Sequence, residues 1–326
     1  MNSKRILSLD YMKAFAILLV VLGHFIDGVD SPENSFRTFI YSLHMPLFFV
    51  VSGFLSSKKL LSLKDLKKWY QHKVKLLIPF IVFSLGDIIF LHRTWDGFLG
   101  WNKFGLWFLW TLFLFDTIYV LSQLILLRNK NKWLEIIGLI APVLICVILR
   151  KFDNTLVGGI FNFMQLYNYA FFVLGVIIVR YNLQRVVLDE RVQFMMFCIY
   201  ILGLTTGIAA LNIPMKACGI LVVYGIFEKL LCEKTTTSFQ MWGGRINKMI
   251  LCFGRRTLYI YILHFYFIQG KLQLPIFIHD LLFSSPFYYL TIYSIFSVLI
   301  MMACVVLADL LDTNKYIRKY IFGSRA

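Results

Sequence analysis

Apolar runs of near-bilayer length recur along almost the whole chain, at 6–25, 36–55, 76–92, 104–127, 133–149, 159–179, 192–211, 217–231, 250–268 and 286–310. Hydrocarbon offers no partner to backbone N–H and C=O groups, so predominantly apolar segments of about 20 residues cross it as helices. The expected fold is all-α: a polytopic transmembrane helical bundle of about ten spans, forming one integral-membrane domain over 1–326. Composition fits, with 59% hydrophobic and 15% charged residues, against about 25% charged in an ordinary soluble domain. The first run has no small-residue cleavage site behind it and carries Asp10 and Lys13 at its start, so it reads as a retained span rather than a secretion signal.

A formal charge of +16 raises nucleic acid as a partner, but the distribution of the charge argues against it. With the N-terminus inside, all but seven of the 33 basic residues fall in cytosolic segments. The seven are Arg37, Arg93, Lys103, Arg150, Lys151, Lys216 and Lys271. That asymmetry is the one that orients membrane proteins, and it predicts cytosolic N- and C-termini in a multi-pass protein of the plasma or inner cell membrane. The most basic stretch, 58–75, interleaves Lys58, Lys59, Lys64, Lys67, Lys68, Lys73 and Lys75 with leucines, Trp69 and Tyr70. Such a segment lies as an amphipathic helix in the inner interface and attracts anionic membrane lipids. The six cysteines form no CxxC pair and lie in or at the inner ends of spans, so neither a disulfide nor a metal site is expected.

Ionisable side chains inside these apolar runs are costly in lipid, so each one marks a candidate site. On an ideal helix the eleven residues from Lys13 to His24 turn through about 1100°, so the two share a face about 16 Å apart along the axis. Asp10 falls near that stripe and can pair with Lys13, three residues on. The next run, 41–55, carries His44 two residues before Pro46, and proline deprives the Ser42 carbonyl of its helical donor. Asp87 and Asp116 interrupt the third and fourth runs, and Trp107 opens the latter as an interface anchor or a pocket wall. Asn162, Gln165 and Tyr169 form an i, i+3, i+7 stripe, read as interhelical hydrogen bonding or as a lining for sugar hydroxyls. Thr257, Tyr261 and His264 share a face of the ninth run behind Arg255 and Arg256. The segment 233–248, with Thr235, Ser238, Gly243 and Gly244, reads as a flexible connection.

Arg5, Leu9, Asp10, Lys13 and the Gly23-His24 pair, followed by His44-Met45-Pro46-Leu47-Phe48-Phe49 and Ser52-Gly53-Phe54, resemble the opening of the acyltransferase 3 family of integral membrane acyltransferases. Lys13 and His24 match that family's basic-x10-His pattern. Lys13 with the MPLFF run is most similar to the fucose 4-O-acetylase-like branch. The segment from His72 to Phe80 is similar to the family's basic entry to the third span, with His72 and Lys75 where many members have two arginines. The run ending Tyr261-Ile262-Leu263-His264 is similar to its late YxxH segment.

The resemblance implies O-acyl transfer, with acetyl-CoA or another acyl-CoA as the donor and a glycan or lipid-linked sugar hydroxyl as the acceptor. On that reading His24 is the catalytic base, assisted by Asp10, Lys13 and His44. Histidine, with an ordinary pKa of about 6.5, suits removal of a hydroxyl proton near neutral pH; an acyl-histidine intermediate is the other route. His72, Lys73, Lys75, Arg255 and Arg256 would hold the phosphates of coenzyme A, and Trp107, Asn162, Gln165, Tyr261 and His264 would line the substrate path. The competing class is a proton-coupled transporter or exporter using His24, His44, His264, Asp87 and Asp116 as a relay. The paired, broken-helix repeats usual in such transporters are not visible in the sequence.

Overall fold

The computed structural model describes residues 7–28, 35–57, 62–127, 132–233, 240–268 and 286–323. All regular structure among them is helical. The longer helices are α1 (Leu7–Gly28), α2 (Ser35–Ser56), α3 (Leu63–Lys73), α4 (Leu77–Phe90), α5 (Trp107–Leu127) and α6 (Lys132–Leu149). They continue with α7 (Tyr169–Arg180), α8 (Glu190–Thr206), α9 (Asn212–Glu233), α10 (Gln240–Arg255), α11 (Thr257–Ile268) and α12 (Pro286–Asp312).

Among the described residues, 7 stretches are long and apolar enough to cross a membrane: Leu7–Asp27, Phe36–Ser56, Trp107–Leu124, Trp133–Phe152, Phe163–Arg180, Ala209–Leu230 and Leu290–Asp312. The other three expected spans are shorter helices, for local reasons. The third run gives part of its start to a 3-10 turn, Val74–Leu76, leaving 14 residues in α4. Gly207, in a left-handed conformation at φ 63, ends α8 after 17 residues. The ninth run is two helices, because α10 stops at Arg255 and α11 restarts at Thr257 with only 12 residues.

The chain divides into two compact units, Met1–Val51 with Gln184–Leu310, and Ser52–Leu183 with Leu311–Ala326. In the first, α1 lies against α9, α10 and α11, and α8 pairs with α9. Its apolar stretch is 78% buried, against 11% for Trp133–Phe152 and 22% for Leu290–Asp312. The helix that carries Asp10, Lys13 and His24 is therefore largely buried. A Cβ on Gly254 would sit 2.0 Å from the Asp10 carbonyl oxygen, so only glycine lets the end of α10 approach α1 this closely. The segment expected to be a flexible connection becomes the helix α10 from Gln240 onward, and residues 234–239 lie outside the described residues. Its polar and glycine-rich start had hidden a helical period that Ile246, Ile250 and Phe253 continue.

In the second unit α5 packs against α3, α4 and α6, and α6 against α7. Ser62 caps α3 by accepting from the Asp65 N–H, Leu66 is buried, and Lys64, Lys67 and Lys68 point outward. The amphipathic helix expected of the lysine-rich stretch is thus present over α3, while Lys58 and Lys59 lie outside the described residues. Near the end of α2, Gly53 meets α7 directly: a Cβ there would lie 2.0 Å from the Phe172 carbonyl oxygen. The sixth expected span is not one helix. A short turn, Leu156–Ile160, is followed by Asn162 in the left-handed region at φ 54, a 3-10 segment Phe163–Asn168, and then α7. Asn162, Gln165 and Tyr169 therefore do not form one α-helical face, because the α-helical spacing that aligned them is interrupted twice.

Candidate active site

Two polar clusters lie on α1, one toward each end. At the first, the 2% exposed Asp10 receives Lys13 Nζ at 2.6 Å and Arg255 Nε at 3.8 Å. The expected Asp10–Lys13 pair is present, and the glycine contact at residue 254 delivers the neighbouring arginine to it. The Arg255 side chain is 48% exposed, so its guanidinium is held at one edge with the rest open. Arg256 is turned elsewhere, donating from Nη2 to Asp309 Oδ1 at 2.6 Å and lying 5.3 Å from the Tyr259 ring centre.

Toward the other end, three helices bring histidines together. His24 of α1 is partly exposed, and its ring centre is 5.4 Å from that of His264 on α11. Phe265 lies 4.8 Å from His24 and 4.2 Å from His264, forming a common wall. Tyr261, one turn earlier on α11, is 6.1 Å from His264. On α2, His44 is buried behind Tyr41, the rings meeting edge to face at 4.8 Å.

The tautomers follow from the backbone. Nδ1 of His44 donates to the Ile40 carbonyl at 2.9 Å, and Nδ1 of His264 to the Ile260 carbonyl at 2.9 Å. A carbonyl only accepts, so each Nδ1 carries the proton and each Nε2 is the lone-pair nitrogen of a neutral imidazole. His264 is 0% exposed, and its Nε2 has no hydrogen-bond partner among the described residues. A buried acceptor left unsatisfied costs about 1–3 kcal/mol. Its geometry suits a proton delivered during a reaction rather than one held at rest. His24 makes ring contacts but no hydrogen bond among the described residues.

Gly23, beside His24, is a point of close helix contact. A Cβ there would lie 3.2 Å from Ile40 Cγ2 and 3.7 Å from the Tyr41 ring, so the glycine admits α2 rather than a ligand. Tyr41 donates its hydroxyl to Asp27, which also receives Arg37 Nε at 2.9 Å. Beside these groups lies a cavity of about 300 Å³, lined by Arg37, Thr38, Tyr41, Ser42, Asn212, Met215 and Lys216. It adjoins the turn of α2 preceding Pro46, where Ser42 donates to the Phe39 carbonyl and shares a 2.8 Å hydrogen bond with Tyr200. Tyr41 and Phe265 were not singled out in the sequence. Tyr41 is three residues from His44, a spacing that places both on one helical face.

The remaining expected site residues belong to the second unit. His72 is exposed at the end of α3, and Lys75 lies in the turn behind it. Lys73 points to a buried carboxylate, with Nζ 3.3 Å from Asp116 Oδ1, 3.3 Å from Ser56 Oγ and 5.2 Å from the Trp69 ring centre. Trp107 opens α5, partly buried beside Phe108. One turn on, Trp110 Nε1 donates to the Ile160 carbonyl at 2.9 Å. Asn162 is buried and donates to Thr111 Oγ1 at 2.9 Å, while Gln165 Oε1 accepts from Asn168 at 3.0 Å. An ion pair missed in the sequence joins Arg180 to Glu135 at 3.3 Å, with Gln123 Oε1 2.8 Å from the same guanidinium.

Inner helices with paired ions, histidines toward one end of α1 and several long apolar helices define a multi-pass membrane protein. Residues 6–306 match the model of the family described as "Acyltransferase domain". The chain belongs to the acyltransferase 3 family, and its apolar helices make it a multi-pass membrane protein. It is similar to the nodulation protein NolL of Sinorhizobium fredii (strain NBRC 101917 / NGR234), at 26% identity over 190 residues, covering 53% of this chain and 48% of that protein. It is also similar to the nodulation protein NolL of Mesorhizobium japonicum (strain LMG 29417 / CECT 9101 / MAFF 303099), at 34% over 87 residues, covering 24% and 23%. The chain thus spans about half or less of the curated relatives it matches. No solved structure matches it.

Proposed function

We propose that the chain is a membrane O-acyltransferase, of the fucose 4-O-acetylase-like branch, that moves an acetyl or related acyl group from acyl-CoA to a hydroxyl of a cell-surface or lipid-linked glycan. The observation that carries this reading is the meeting of His24 and His264 at 5.4 Å, with an unsatisfied, buried Nε2 on His264, inside a chain that matches an acyltransferase domain over most of its length. In the reaction, His24 takes the proton of the acceptor hydroxyl while its oxygen attacks the thioester carbonyl. The tetrahedral adduct collapses with loss of the C–S bond. The histidinium then returns the proton to the departing thiolate, giving ester and free thiol. His264 and His44, each locked by its Nδ1, orient the site and share the proton load.

The positive-inside asymmetry supports a ten-span arrangement in the plasma or inner membrane with both termini cytosolic. On that orientation the Asp10 end of α1 faces the cytosol, where acyl-CoA is found, and the His24 end faces the acceptor. Lys13 to His24 measures about 16 Å on an ideal helix, of the order of an extended pantetheine arm. Lys13 and Arg255 are one candidate set for the donor's phosphates, and His72 with Lys75 is another.

Membranes containing the chain should transfer label from acetyl-CoA to endogenous glycan, and mass analysis should show the matching acyl increment. His24→Ala should abolish both while acetyl-CoA binding persists. An unchanged glycan mass combined with protein-dependent solute movement would replace this reading with transport.

A further inference from the structure

The end of the chain returns to the second unit. The apolar stretch Leu290–Asp312 stops just before a short helix, α13 (Lys315–Tyr320), which Asn314 caps by accepting from the Tyr316 and Ile317 N–H groups. Phe322 and Gly323 are then buried against the connection from α3 to α4. The Phe322 ring centre is 5.5 Å from that of Phe83, and a Cβ on Gly323 would lie 2.6 Å from the Lys75 carbonyl oxygen. Gly323 also has φ 64, so a larger residue meets both a left-handed backbone and a backbone oxygen. Glycine is what lets the chain end lie on this turn.

The contact brings two lysine-bearing helices to one turn, Val74–Leu76. One is α3, with Lys64, Lys67 and Lys68 outward at i, i+3 and i+4 on one face. The other is α13, with Lys315 and Lys319 exposed one helical turn apart. Lys315 Nζ lies 5.5 Å from the Tyr316 ring centre and Lys319 Nζ 5.0 Å from that of Tyr320, and the two tyrosines stack at 6.4 Å. None of the five lysines is in an ion pair among the described residues. Asp65, the carboxylate on α3, accepts instead from Ser62 Oγ at 2.8 Å. Across the two helices and the residues flanking them, five ammonium groups face the carboxylates of Asp65 and Asp312, which leaves the pair cationic.

The surface is also apolar in places. Leu63 is 67% exposed at the start of α3, and Tyr316 and Tyr320 are 61% and 59% exposed. Exposed leucine and tyrosine beside lysines, close to the end of an apolar span, suit a lipid headgroup layer better than a purely aqueous anion. There phenols sit at the polar level, apolar carbons enter below it, and ammonium groups meet phosphodiesters.

We propose that α3 and α13, tied together through Gly323, form one binding surface for the phosphodiester headgroup of an anionic phospholipid. Such binding is independent of acyl transfer. Unlike the general attraction of a lysine-rich segment to a charged leaflet, it requires the docked chain end.

The test titrates the full-length chain, purified in an uncharged detergent, with phosphatidylglycerol, phosphatidylcholine and coenzyme A. Phosphatidylglycerol should bind saturably, with affinity falling as salt rises, and phosphatidylcholine at least tenfold more weakly. A lysine near an anionic surface contributes about fivefold. Replacing Lys64, Lys67 and Lys68 together by Gln, or Lys315 and Lys319 together by Gln, should therefore weaken phosphatidylglycerol binding at least tenfold, with the lipid-free melting temperature unchanged. Gly323→Val keeps every lysine but releases the chain end, and should reproduce the loss seen without Lys315 and Lys319. Truncation after Tyr320 removes the same anchor and serves as the second variant should Gly323→Val fail to fold. Equal binding of phosphatidylcholine, an affinity unmoved by either lysine set, or wild-type affinity with the chain end released would each overturn the proposal. Coenzyme A that displaces phosphatidylglycerol and weakens in the same variants would overturn it too, by making this surface a site for a soluble phosphate ligand.

Discussion

In the unit built around α5, buried charges meet opposite charges. Lys73 lies 3.3 Å from Asp116, and Arg180 lies 3.3 Å from Glu135 with Gln123 beside it. In the unit built around α1 the same holds at the Asp10 end, where Lys13 and Arg255 surround a carboxylate. At the His24 end it does not: two histidines are fixed through Nδ1 to their own helix backbone, and the Nε2 of His264 is left without a partner. Closed ion pairs in a medium of low polarity resist rearrangement, because separating them exposes an uncompensated charge. A neutral imidazole with an open nitrogen gains a proton at far lower cost. On the proposed function, the first kind of polar group serves stability and the second serves the reaction.

Substituting at the two kinds of site should therefore give different phenotypes. His24→Ala should lower acyl transfer by about 10²–10⁴-fold, the usual worth of a general base, with the melting temperature in detergent unchanged. Asp116→Ala should do the reverse, costing about 3–5 kcal/mol of stability by stranding the Lys73 ammonium. Asp116→Ala combined with Lys73→Met should recover much of that loss. If His24→Ala instead unfolds the protein, or Asp116→Ala leaves its stability intact, the division between the two kinds of group is wrong. His264→Phe is the finer test, since it keeps an aromatic ring against Phe265 and removes only the nitrogens. It should reduce transfer about tenfold or more and displace the pH profile of kcat, with little change in stability. A variant with wild-type kcat and pH profile would leave His264 as packing alone.

The legible parts of the molecule were those carried by pattern within one segment. The apolar runs located the helices, the three-residue spacing of Asp10 and Lys13 anticipated their ion pair, and an intramembrane histidine on the same stripe pointed to His24. What was not legible depends on backbone departures or on distant partners. The stripe from Asn162 to Tyr169 assumed α-helical spacing, which a left-handed Asn162 and a 3-10 segment remove. The close approach of Ile40 to Gly23 comes from another helix and has no signature in α1 itself. Arg37 and Lys216 are 179 positions apart in sequence and share a cavity only through the fold. Phe265 follows His264 directly and looked like one more apolar residue until the ring contacts placed it against both His24 and His264.

Lys103 tests the pairing rule where the α5 unit departs from it. The residue is buried in the connection between α4 and α5, where Lys103, Phe104 and Gly105 all adopt positive φ angles of 46, 55 and 86. Its ammonium donates to the carbonyls of Phe98, Gly100 and Gly159 at 3.2–3.3 Å and lies 5.7 Å from the Trp110 ring centre, with no carboxylate among these contacts. Burial without a counter-charge penalises the ionised form and lowers the Lys103 pKa to about 8. For a base whose pKa is lower folded than unfolded, the cost of keeping it charged is fully present below about pH 8. That cost is relieved as pH rises toward the ordinary lysine value of about 10.4, where the unfolded chain also loses its proton. Wild-type stability relative to Lys103→Met should therefore rise modestly across that window and be flat below it. Thermal unfolding of both proteins in detergent at a series of pH values measures the difference directly. Parallel curves would mean that the three carbonyls compensate the ammonium as well as a carboxylate would, and the α5 unit would then tolerate buried cations without opposite charges.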